Sequence, residues 1–568
     1  MAVKVVLAIS MAGIVLAQSA GAGYHELVVS SAGDELSVVA GCVLVDSLGE
    51  WPHFSLASCA RLRILKAVNH LPVKPELEEF CSLAERGNVV PVYAQLAADF
   101  ETPVSAYLKV ADEKGAFLLE SAESTDAGGR YSFVGSDPRA VYTAYGKQIE
   151  WRMGNETQFI TAEEDVLAEL EKLMAPYKPV QHGDLPPFYG GMVGYLGYDA
   201  VQQFEPTIVE QPEDSLDLPD AVFMLTDTVL VFDHKLRRLL VIANALLSDY
   251  DSAAAAHAAA VAKIEAWLAK LDEQVHVAPL NGLTEYPEPE IKSNTTQEEF
   301  EQMVRDAKEY IAAGDAFQIV PSQRFEADYQ GSTVDLYRAL RHVNPSPYMF
   351  ILQLDGFALV GSSPEVHVRS INGRIDIRPI AGTRWRGKSA EEDDALAADL
   401  LADAKECSEH LMLVDLARND VGRIAKKASV TVDDFMIVER YSHVMHIVSN
   451  VHGELAEGHS AYDVLRSTFP AGTVSGAPKI RAMQIINSLE KNKRSTYSGA
   501  VGYFGWDGSH DSCITLRTCL LKDEKAYVQA GAGVVADSNP TYEYEETRNK
   551  ATGMLRAVEL AKTISSNA

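Results

Sequence analysis

Apolar residues recur along this chain with two different periods. In the alanine-rich stretch 251–271 they recur at helical spacing and predict an amphipathic helix, with Val261, Ile264, Trp267, Leu268 and Leu271 as its apolar positions. A second helix is predicted to begin at Thr296, where Glu299 completes a capping box, and to stop at Gly314-Asp315. Its apolar positions are Phe300, Met303, Val304, Ala307 and Ile311.

A period of two predicts strands in other segments. Residues 373–378 alternate between polar and apolar, as a half-buried strand does. Short apolar runs predict further strands at Val229–Phe232, Leu239–Ala243, Ala316–Val320, Ala500–Gly505 and Ala526–Ala530. The chain shows no regular strand–helix–strand rhythm and no G-x-G-x-x-G after a strand, which disfavours a Rossmann domain. We therefore predict an α+β architecture with large antiparallel sheets.

The 568 residues exceed one ordinary core, and we divide them into three segments. A proline-bearing linker, 276–295, separates residues 71–290 from residues 291–568. Residues 1–70 form an N-terminal extension without recognisable chemistry. The apolar run Val5–Ala17 resembles a signal peptide, but the acidic residues that follow fit a transit peptide poorly. An export signal, an organelle-targeting leader and translated sequence upstream of the true start remain open.

Composition narrows the classes of partner. Apolar residues make up 47% and charged residues 23%, values typical of a soluble globular protein. The formal net charge of −30 repels nucleic-acid phosphates, so we expect no nucleic-acid partner. The run Val5–Ala17 is too short to span a bilayer comfortably, and we expect no membrane association. Six cysteines without a C-x-x-C indicate reduced thiols rather than a disulfide scaffold or a zinc site.

Two glutamate pairs are candidates for metal binding. Glu406 and Glu409 are three residues apart, as are Glu543 and Glu546, so on a helix each pair shares a face. Mg²⁺ takes oxygen ligands and usually keeps water and substrate oxygens, so two such faces across a cleft could hold it. Acidic helix faces are common, and the spacing alone is equally compatible with two solvated surfaces.

Glycine-rich turns and three single residues are further candidates. Turns at 361–364, 381–384, 471–478 and 531–533 could offer backbone N–H groups to an anion, although tight structural turns are a commoner use. Arg517 lies in an otherwise apolar predicted strand, where a structural ion pair and a substrate carboxylate are both possible partners. His446 has apolar neighbours typical of a core histidine, and Glu365 could be an acid held in a cleft or a loop carboxylate.

Taken together, the motifs resemble the anthranilate synthase component I group of the chorismate-binding enzyme family. The resemblance runs from about Glu76 to Ala561. It rests on the motifs GDAFQIVPSQR at 314–324, PIAGTR at 379–384, EHLMLVDLARND at 409–420, YSHVMH at 441–446, PAGTVSGAPK at 470–479 and GAGVVAD at 531–537. The implied fold has two large antiparallel sheets packed face to face with helices outside. The implied reaction converts chorismate and ammonia to anthranilate and pyruvate, the first committed step of tryptophan biosynthesis.

The resemblance also implies roles for individual residues. It implies that Mg²⁺ is the cofactor and that its ligands are Glu406, Glu409, Glu543 and Glu546. Substrate contacts are implied for Gly382, Thr383, Tyr497, Arg517, Gly531 and Gly533. Three active-site positions are implied, with Glu365 as the acid for the departing C4 hydroxyl, His446 assisting catalysis, and Thr473.

Two positions separate this chain from related enzymes of the family. Aminodeoxychorismate synthases carry a nucleophilic lysine where this chain has Ala381. Isochorismate and salicylate synthases carry a water-activating lysine where it has Gln318, and a glutamine cannot act as a general base. Ammonia is therefore the expected nucleophile. Aminodeoxychorismate synthase and a non-catalytic tryptophan-sensing paralogue are the alternatives.

Feedback inhibition and a partner subunit are also implied. The motif LLES at 118–121, with PYM at 347–349 and VGY at 501–503, resembles the tryptophan-binding elements of the family. The residues concerned are Ser121, Pro347, Tyr348, Met349, Val501 and Tyr503. No G-x-C-x-G glutaminase motif is present, so a separate glutamine amidotransferase subunit is expected to supply ammonia, in a heterotetramer with two copies of each subunit. We expect a cytoplasmic location, or a plastid if residues 1–70 are a targeting leader.

Overall fold

The structure, a computed structural model, describes most of the chain after residue 70. It covers residues 71–565 except 122–128, 210–211, 278–279, 281–288, 290 and 442–443, together with the backbone of 26–31 and 34–39. The chain separates into two compact units, Met1–Pro72 and Val73–Ala568. The predicted N-terminal extension, 1–70, lies outside the described residues apart from an antiparallel hairpin of β1 (Glu26–Ser31) and β2 (Asp34–Val39).

Twelve helices occur in the described part of the second unit. They are α1 (Leu77–Leu83), α2 (Pro103–Val110), α3 (Val166–Met174), α4 (Val201–Phe204), α5 (Ala253–Leu271), α6 (Gln297–Ala313), α7 (Thr333–Val343), α8 (Ala390–Ala402), α9 (Ala404–Gly422), α10 (Ala461–Thr468), α11 (Lys479–Leu489) and α12 (Pro540–Ser565). Short 3₁₀ turns occur at Tyr198–Ala200, Leu247–Asp249 and Gly472–Val474. No helix in these described ranges is long and apolar enough to cross a membrane.

The strands of this unit are short and pair antiparallel. They are β3 (Val73–Lys74), β4 (Val89–Ala97), β5 (Ala116–Glu120), β6 (Tyr131–Ser136), β7 (Ala140–Tyr145), β8 (Gln148–Met153), β9 (Glu156–Thr161), β10 (Gly191–Leu196), β11 (Ala221–Thr226), β12 (Thr228–Asp233), β13 (Arg238–Leu246), β14 (Lys292–Ser293), β15 (Gln318–Ile319), β16 (Ser322–Asp328), β17 (Tyr348–Leu354), β18 (Phe357–Ser363), β19 (Val366–Ile371), β20 (Arg374–Ile377), β21 (Ile380–Trp385), β22 (Thr431–Arg440), β23 (Val444–Glu454), β24 (Gly476–Ala477), β25 (Ala500–Gly505), β26 (His510–Ile514), β27 (Thr518–Lys522) and β28 (Lys525–Gly531).

Two large sheets contain almost all of these strands. Sheet I has the order β21-β23-β20-β19-β26-β25-β10-β11-β7-β8-β9, and β22 also pairs with β23. Sheet II has the order β14-β16-β28-β27-β18-β17-β5-β6-β12-β13-β4-β3. The small pair β15–β24 stands apart from both sheets. Each large sheet takes strands from both sides of residue 290, so the two predicted regions of this unit share one core.

The core lies between the two sheets. Phe133 of sheet II meets Tyr503 of sheet I with ring centroids 6.0 Å apart, and Phe357 of sheet II meets Tyr195 of sheet I at 6.2 Å. The helices pack on the outer faces, with α5, α7 and α12 on sheet II and α9 and α10 on sheet I. This arrangement confirms the predicted α+β fold of two antiparallel sheets packed face to face with helices outside.

Most predicted elements are confirmed, and two are corrected. The helix predicted from Thr296 is α6, whose capping box and end at Gly314 are both present. The strand predicted at Ala316–Val320 is only two residues long, because its partner β24 has only two residues and is followed by Pro478, which has no N–H to donate. Arg517 does not lie in a strand, since its φ of +44° places it in a turn between β26 and β27.

Candidate active site

A bulge in β21 positions the predicted catalytic histidine. Gly382 has a φ of +69°, a region that glycine adopts without strain, and the β21–β23 register shifts there. His446 of β23 places Nδ1 2.9 Å from the Gly382 carbonyl oxygen and 3.1 Å from Thr383 Oγ1. Because a carbonyl can only accept, Nδ1 carries the proton and Nε2 is left as the acceptor. Burial lowers the pKa of His446, so the ring is neutral at pH 7.

The first glutamate pair lies on the opening turns of α9. Asp403 caps this helix by accepting from the Lys405 and Glu406 N–H groups. Glu409 accepts from Gln318 Nε2 at 3.1 Å, and Glu406 lies 3.5 Å from an Arg384 nitrogen. Burial and the neighbouring Glu409 raise the pKa of Glu406.

The pair also faces the bulge and the loop that follows β28. A side chain at Gly382 would place its Cβ 3.1 Å from Glu406 Oε2. One at Gly533 would place its Cβ 2.7 Å from Gln318 Nε2, beside Glu409. The two glycines therefore keep the space around these carboxylates open.

The second glutamate pair lies on the opening turns of α12. Glu543 is almost completely buried, and burial together with Glu546 raises its pKa to about 7. Glu546 forms an ion pair with Lys550 at 2.7 Å, and Lys550 Nζ donates to the Gly531 carbonyl at 3.1 Å. Lys550 thus links this pair to the glycine-rich end of β28.

The structure keeps these four glutamates as two pairs. In the described residues, no three His, Cys, Asp or Glu side chains lie close enough to hold a metal ion. Within each pair, however, one carboxylate raises the pKa of the other, since Glu409 acts on Glu406 and Glu546 acts on Glu543. Like-charged oxygens at this spacing fit a hard divalent cation as their missing partner.

The predicted acid and the predicted substrate arginine share a cleft. Glu365 and Arg517 are partly exposed, yet burial dominates both pKa values, as expected at the bottom of a concave site. Burial raises the pKa of Glu365 to about 7, although Thr473, Lys550 and Arg517 act against this shift. In the ranges that the structure describes, Arg517 forms no ion pair, and Thr473 interacts with Glu365 as a hydrogen-bond donor that lowers the pKa of that carboxyl. A desolvated cation and an acid that is half protonated at neutral pH therefore face the same space.

Tyr497 and Gly531 close another wall of the site. A side chain at Gly531 would place its Cβ 3.0 Å from the Tyr497 hydroxyl and 2.9 Å from the Pro321 carbonyl. Burial raises the pKa of Tyr497 to about 12, so its hydroxyl stays a hydrogen-bond donor. This uncharged donor can face a carboxylate without changing the charge of the site.

Contacts join His446, Gly382, Thr383 and the pair Glu406–Glu409, and other contacts join Tyr497, Gly531, Lys550 and the pair Glu543–Glu546. Electrostatic interactions of Glu365 with Lys550 and Arg517, and of Arg517 with His446, link the two groups into one set. Two members of that set were not predicted as site residues, namely Lys550 and Arg384. The spacing of Lys550, four residues after Glu546 on a helix, is a signal that could have identified it.

The predicted tryptophan-binding residues Tyr348 and Met349 lie on β17, and Tyr503 lies on β25. Tyr348 donates to Asp511 at 3.0 Å and accepts from Arg369 at 3.0 Å, and Arg369 pairs with Asp511 at 3.0 Å. The pKa of Tyr503 is raised by burial and then by Asp511, which places this ring in the same group. Met349 stands opposite Glu120 in the β5–β17 register.

For the other predicted members of this group, Ser121, Pro347 and Val501, the structure gives the position along the strands. Ser121 follows the end of β5, and the residues after it, 122–128, lie outside the described residues. Pro347 directly precedes β17, and Val501 is buried in β25. The structure thus brings Tyr348, Met349 and Tyr503 to one region.

The sequence is similar to those of known proteins. Residues 114–556 match the family of chorismate binding enzymes. Anthranilate synthase component 1 of Aquifex aeolicus is 47% identical over 496 residues, which cover 86% of this chain and 98% of that protein.

Two solved structures extend the comparison. Anthranilate synthase component I from Streptococcus pneumoniae has a TM-score of 0.68 and 38% identity, over 81% of this chain and 99% of that one. The menaquinone-specific isochorismate synthase from Escherichia coli has a TM-score of 0.60 over 85% of this chain and 98% of that one. At 19% identity, the second likeness concerns the fold alone.

Proposed function

Because this chain belongs to the chorismate-binding enzyme family, we propose that it is an anthranilate synthase large subunit, which converts chorismate and ammonia to anthranilate and pyruvate. The observation that carries the proposal is the guanidinium of Arg517, which forms no ion pair with the residues that the structure describes and interacts electrostatically with the protonatable Glu365. Chorismate is a dianion, and a desolvated arginine without a protein partner can take one carboxylate of such a substrate. A catalytically dead paralogue would have no reason to keep this arrangement.

The residues of the chain supply the proton transfers. Glu365 donates a proton to the C4 hydroxyl, which leaves as water while ammonia attacks C2. The carboxyl can do so because its pKa is about 7. His446 is neutral, and its free Nε2 takes the ring proton when the intermediate loses pyruvate and becomes aromatic. Tyr497 and the N–H groups near Gly531 hold the pyruvyl carboxylate beside Arg517.

The glutamate pairs would hold Mg²⁺. Glu406 and Glu409 on α9 and Glu543 and Glu546 on α12 are the proposed ligands, in keeping with the raised pKa values of Glu406 and Glu543. When bound, the ion would neutralise and orient the ring carboxylate of chorismate. Gly382 leaves room for Glu406 beside the substrate-facing bulge.

Two residues favour ammonia over the other nucleophiles used in this family. Ala381 provides no amine for the covalent route of aminodeoxychorismate synthase, the main alternative enzyme. Gln318 lies within the site, where its amide donates to Glu409, and it has no basic nitrogen with which to activate water. Both observations leave an external amine as the nucleophile.

Ammonia is proposed to come from a glutamine amidotransferase subunit, because the chain contains no G-x-C-x-G motif and its relatives are named component 1. We propose a heterotetramer with two copies of each subunit. Tryptophan is the proposed feedback inhibitor, bound near Ser121, Tyr348 and Tyr503. A cytoplasmic location is proposed, with a plastid as the alternative if residues 1–70 are a leader.

Product analysis tests the reaction directly. The purified chain is given chorismate, Mg²⁺ and ammonium at alkaline pH, with and without tryptophan. Anthranilate that requires Mg²⁺ and decreases with tryptophan supports the reaction, the metal and the inhibitor together. Aminodeoxychorismate or isochorismate as product would overturn the roles given to Ala381 and Gln318. Glutamine-dependent turnover by this chain alone would overturn the partner subunit.

A further inference from the structure

A buried ion pair just beyond α11 lies behind the substrate-facing wall. The Arg494 and Glu490 side chains are only 1% and 5% exposed, and their closest atoms are 2.6 Å apart. Removing an arginine and a carboxylate from water is unfavourable unless both are fully hydrogen-bonded. The contacts of this pair therefore indicate its role.

All five N–H groups of Arg494 have protein acceptors. Nε donates to Glu490 at 3.0 Å, and Nη2 donates to Glu490 at 2.6 Å and to the Val320 carbonyl at 2.6 Å. Nη1 donates to the Val474 carbonyl at 2.7 Å and faces Ser498 Oγ at 3.4 Å. No donor remains for a ligand. In this respect Arg494 is the opposite of Arg517.

These acceptors belong to segments that carry the proposed site residues. Val320 is two residues after Gln318, which holds Glu409. Val474 directly follows Thr473. The guanidinium also lies over the Tyr497 ring, 5.6 Å from its centroid, and over the Tyr198 ring at 4.7 Å.

Glu490 connects the pair to a further segment. Its Oε1 accepts from the Ser322 N–H at 2.8 Å and from Ser322 Oγ at 2.9 Å. Ser322 stands opposite Gly531 in the β16–β28 register. The ion pair therefore contacts the segments of Gln318, Thr473 and Tyr497, and through Ser322 it is linked to the Gly531 end of β28.

We propose that Arg494 is a positioning residue, which sets the Tyr497 ring, the Thr473 turn and the Gly531 end of β28 at the spacing that chorismate requires. It does not touch substrate. This inference rests on the proposed function, because the segments that it spaces are those assigned to chorismate. Lysine cannot replace it, since an ammonium has three donors and no plane to lie against Tyr497.

The test compares two conservative variants, Arg494→Lys and Arg238→Lys. Arg238 also binds two carboxylates, Asp233 and Asp184, but it lies on β13, seven strands from β28 in sheet II. For both variants one measures Tm, the Kd of chorismate by calorimetry, and kcat and KM with ammonium and Mg²⁺. Arg494→Lys is expected to lower kcat/KM by about ten- to a hundredfold. The loss should fall mainly on KM and Kd, and Arg238→Lys should keep wild-type kinetics.

Two further results separate positioning from general stabilisation. In the Tyr497→Phe background, Arg494→Lys should cost clearly less than it does in the wild type, since both act on the same contact. The inference would be overturned if Arg494→Lys lowered kcat/KM by the same factor in the Tyr497→Phe background as in the wild type. Wild-type kinetics for Arg494→Lys, or an equal loss for Arg238→Lys, would also overturn it. If the wild type binds chorismate but makes no anthranilate, the proposed function fails, and the Kd of Arg494→Lys still decides the inference.

Discussion

The proposed catalytic cleft, around Glu365 and Arg517, and the proposed tryptophan-binding region, around Tyr348 and Arg369, differ in whether their charged side chains are paired within the protein. In the cleft, Arg517 forms no ion pair in the described ranges, and burial raises the pKa of Glu365 to about 7. In the tryptophan-binding region, Arg369 is paired with Asp511 and Tyr348, and the buried Glu120 binds Arg341 and Tyr337.

We expect substitutions in the first region to affect mainly activity and substitutions in the second to affect mainly stability. Arg517 has no ion-pair partner in the described ranges, so its removal should damage activity and leave folding largely intact. Charges in the tryptophan-binding region are completed by the protein, so their removal leaves partners unpaired and should lower stability. A ligand bound there must act by rearranging contacts that already exist.

Replacing the acid of the cleft is expected to have the largest effect. Glu365→Gln should lower kcat by about 10²- to 10⁴-fold, because an amide cannot protonate the departing hydroxyl. The carboxyl of Glu365 is protonated below its pKa of about 7, so the wild-type rate constant should fall as pH rises above 7. Rates must be divided by the concentration of NH₃, which itself increases with pH. The same alkaline decline in Glu365→Gln would contradict the assignment.

Replacing Arg517 and Arg369 separately by methionine tests the comparison between the two regions most directly. Arg517→Met should lower kcat/KM by about 10²- to 10³-fold, since it removes the cation for a substrate carboxylate. Its Tm should stay close to wild type, because no protein ion pair is lost. Arg369→Met should do the reverse, with a Tm several degrees lower and nearly normal kcat/KM, because it leaves Asp511 without its cation. Equal Tm losses in the two variants would refute the comparison.

Removing one proposed metal ligand should have opposite effects on the stability of the metal-free protein and on its affinity for Mg²⁺. Glu543→Gln relieves the repulsion with Glu546 that helps to raise the pKa of Glu543, so the metal-free variant should be more stable than the wild type. The same change should raise the Mg²⁺ concentration for half-maximal activity by about ten- to a hundredfold. It should also shrink the rise in Tm on adding Mg²⁺. Glu545→Gln is the matched control, because Glu545 is an exposed glutamate two residues after Glu543 on the same helix.

Local signals in the sequence predicted the elements and the glutamate faces. The capping box at Thr296 and the stop at Gly314 depend only on neighbouring residues, and both are present in α6. The i,i+3 spacing of Glu406 and Glu409, and of Glu543 and Glu546, placed each pair on one helix face, as α9 and α12 show. The resemblance to a known family, rather than the spacing, placed the two pairs in one site.

Contacts between distant segments could not be predicted from local patterns. The apolar neighbours of Arg517 suggested a strand, whereas its left-handed φ depends on how β26 and β27 connect. The role of Arg494 depends on two carbonyls, of Val320 and Val474, from segments far apart in sequence. Nothing in the sequence around Arg494 distinguishes it from a surface arginine.

The smallest expected effect concerns inhibition by tryptophan. Tyr348→Phe removes a hydroxyl that bonds to Asp511 and Arg369 but keeps the ring in place. Because one hydrogen bond contributes about 0.5–1.5 kcal/mol, the inhibition constant for tryptophan should rise by at most about tenfold. Without tryptophan, kcat/KM should stay at the wild-type value, since Tyr348 is not part of the cleft. Tyr329→Phe, which loses a bond to the Ser332 carbonyl, is the matched control and should leave inhibition unchanged. An unchanged inhibition constant in Tyr348→Phe would show that tryptophan does not use this network, and the paired charges of the region would then serve stability alone.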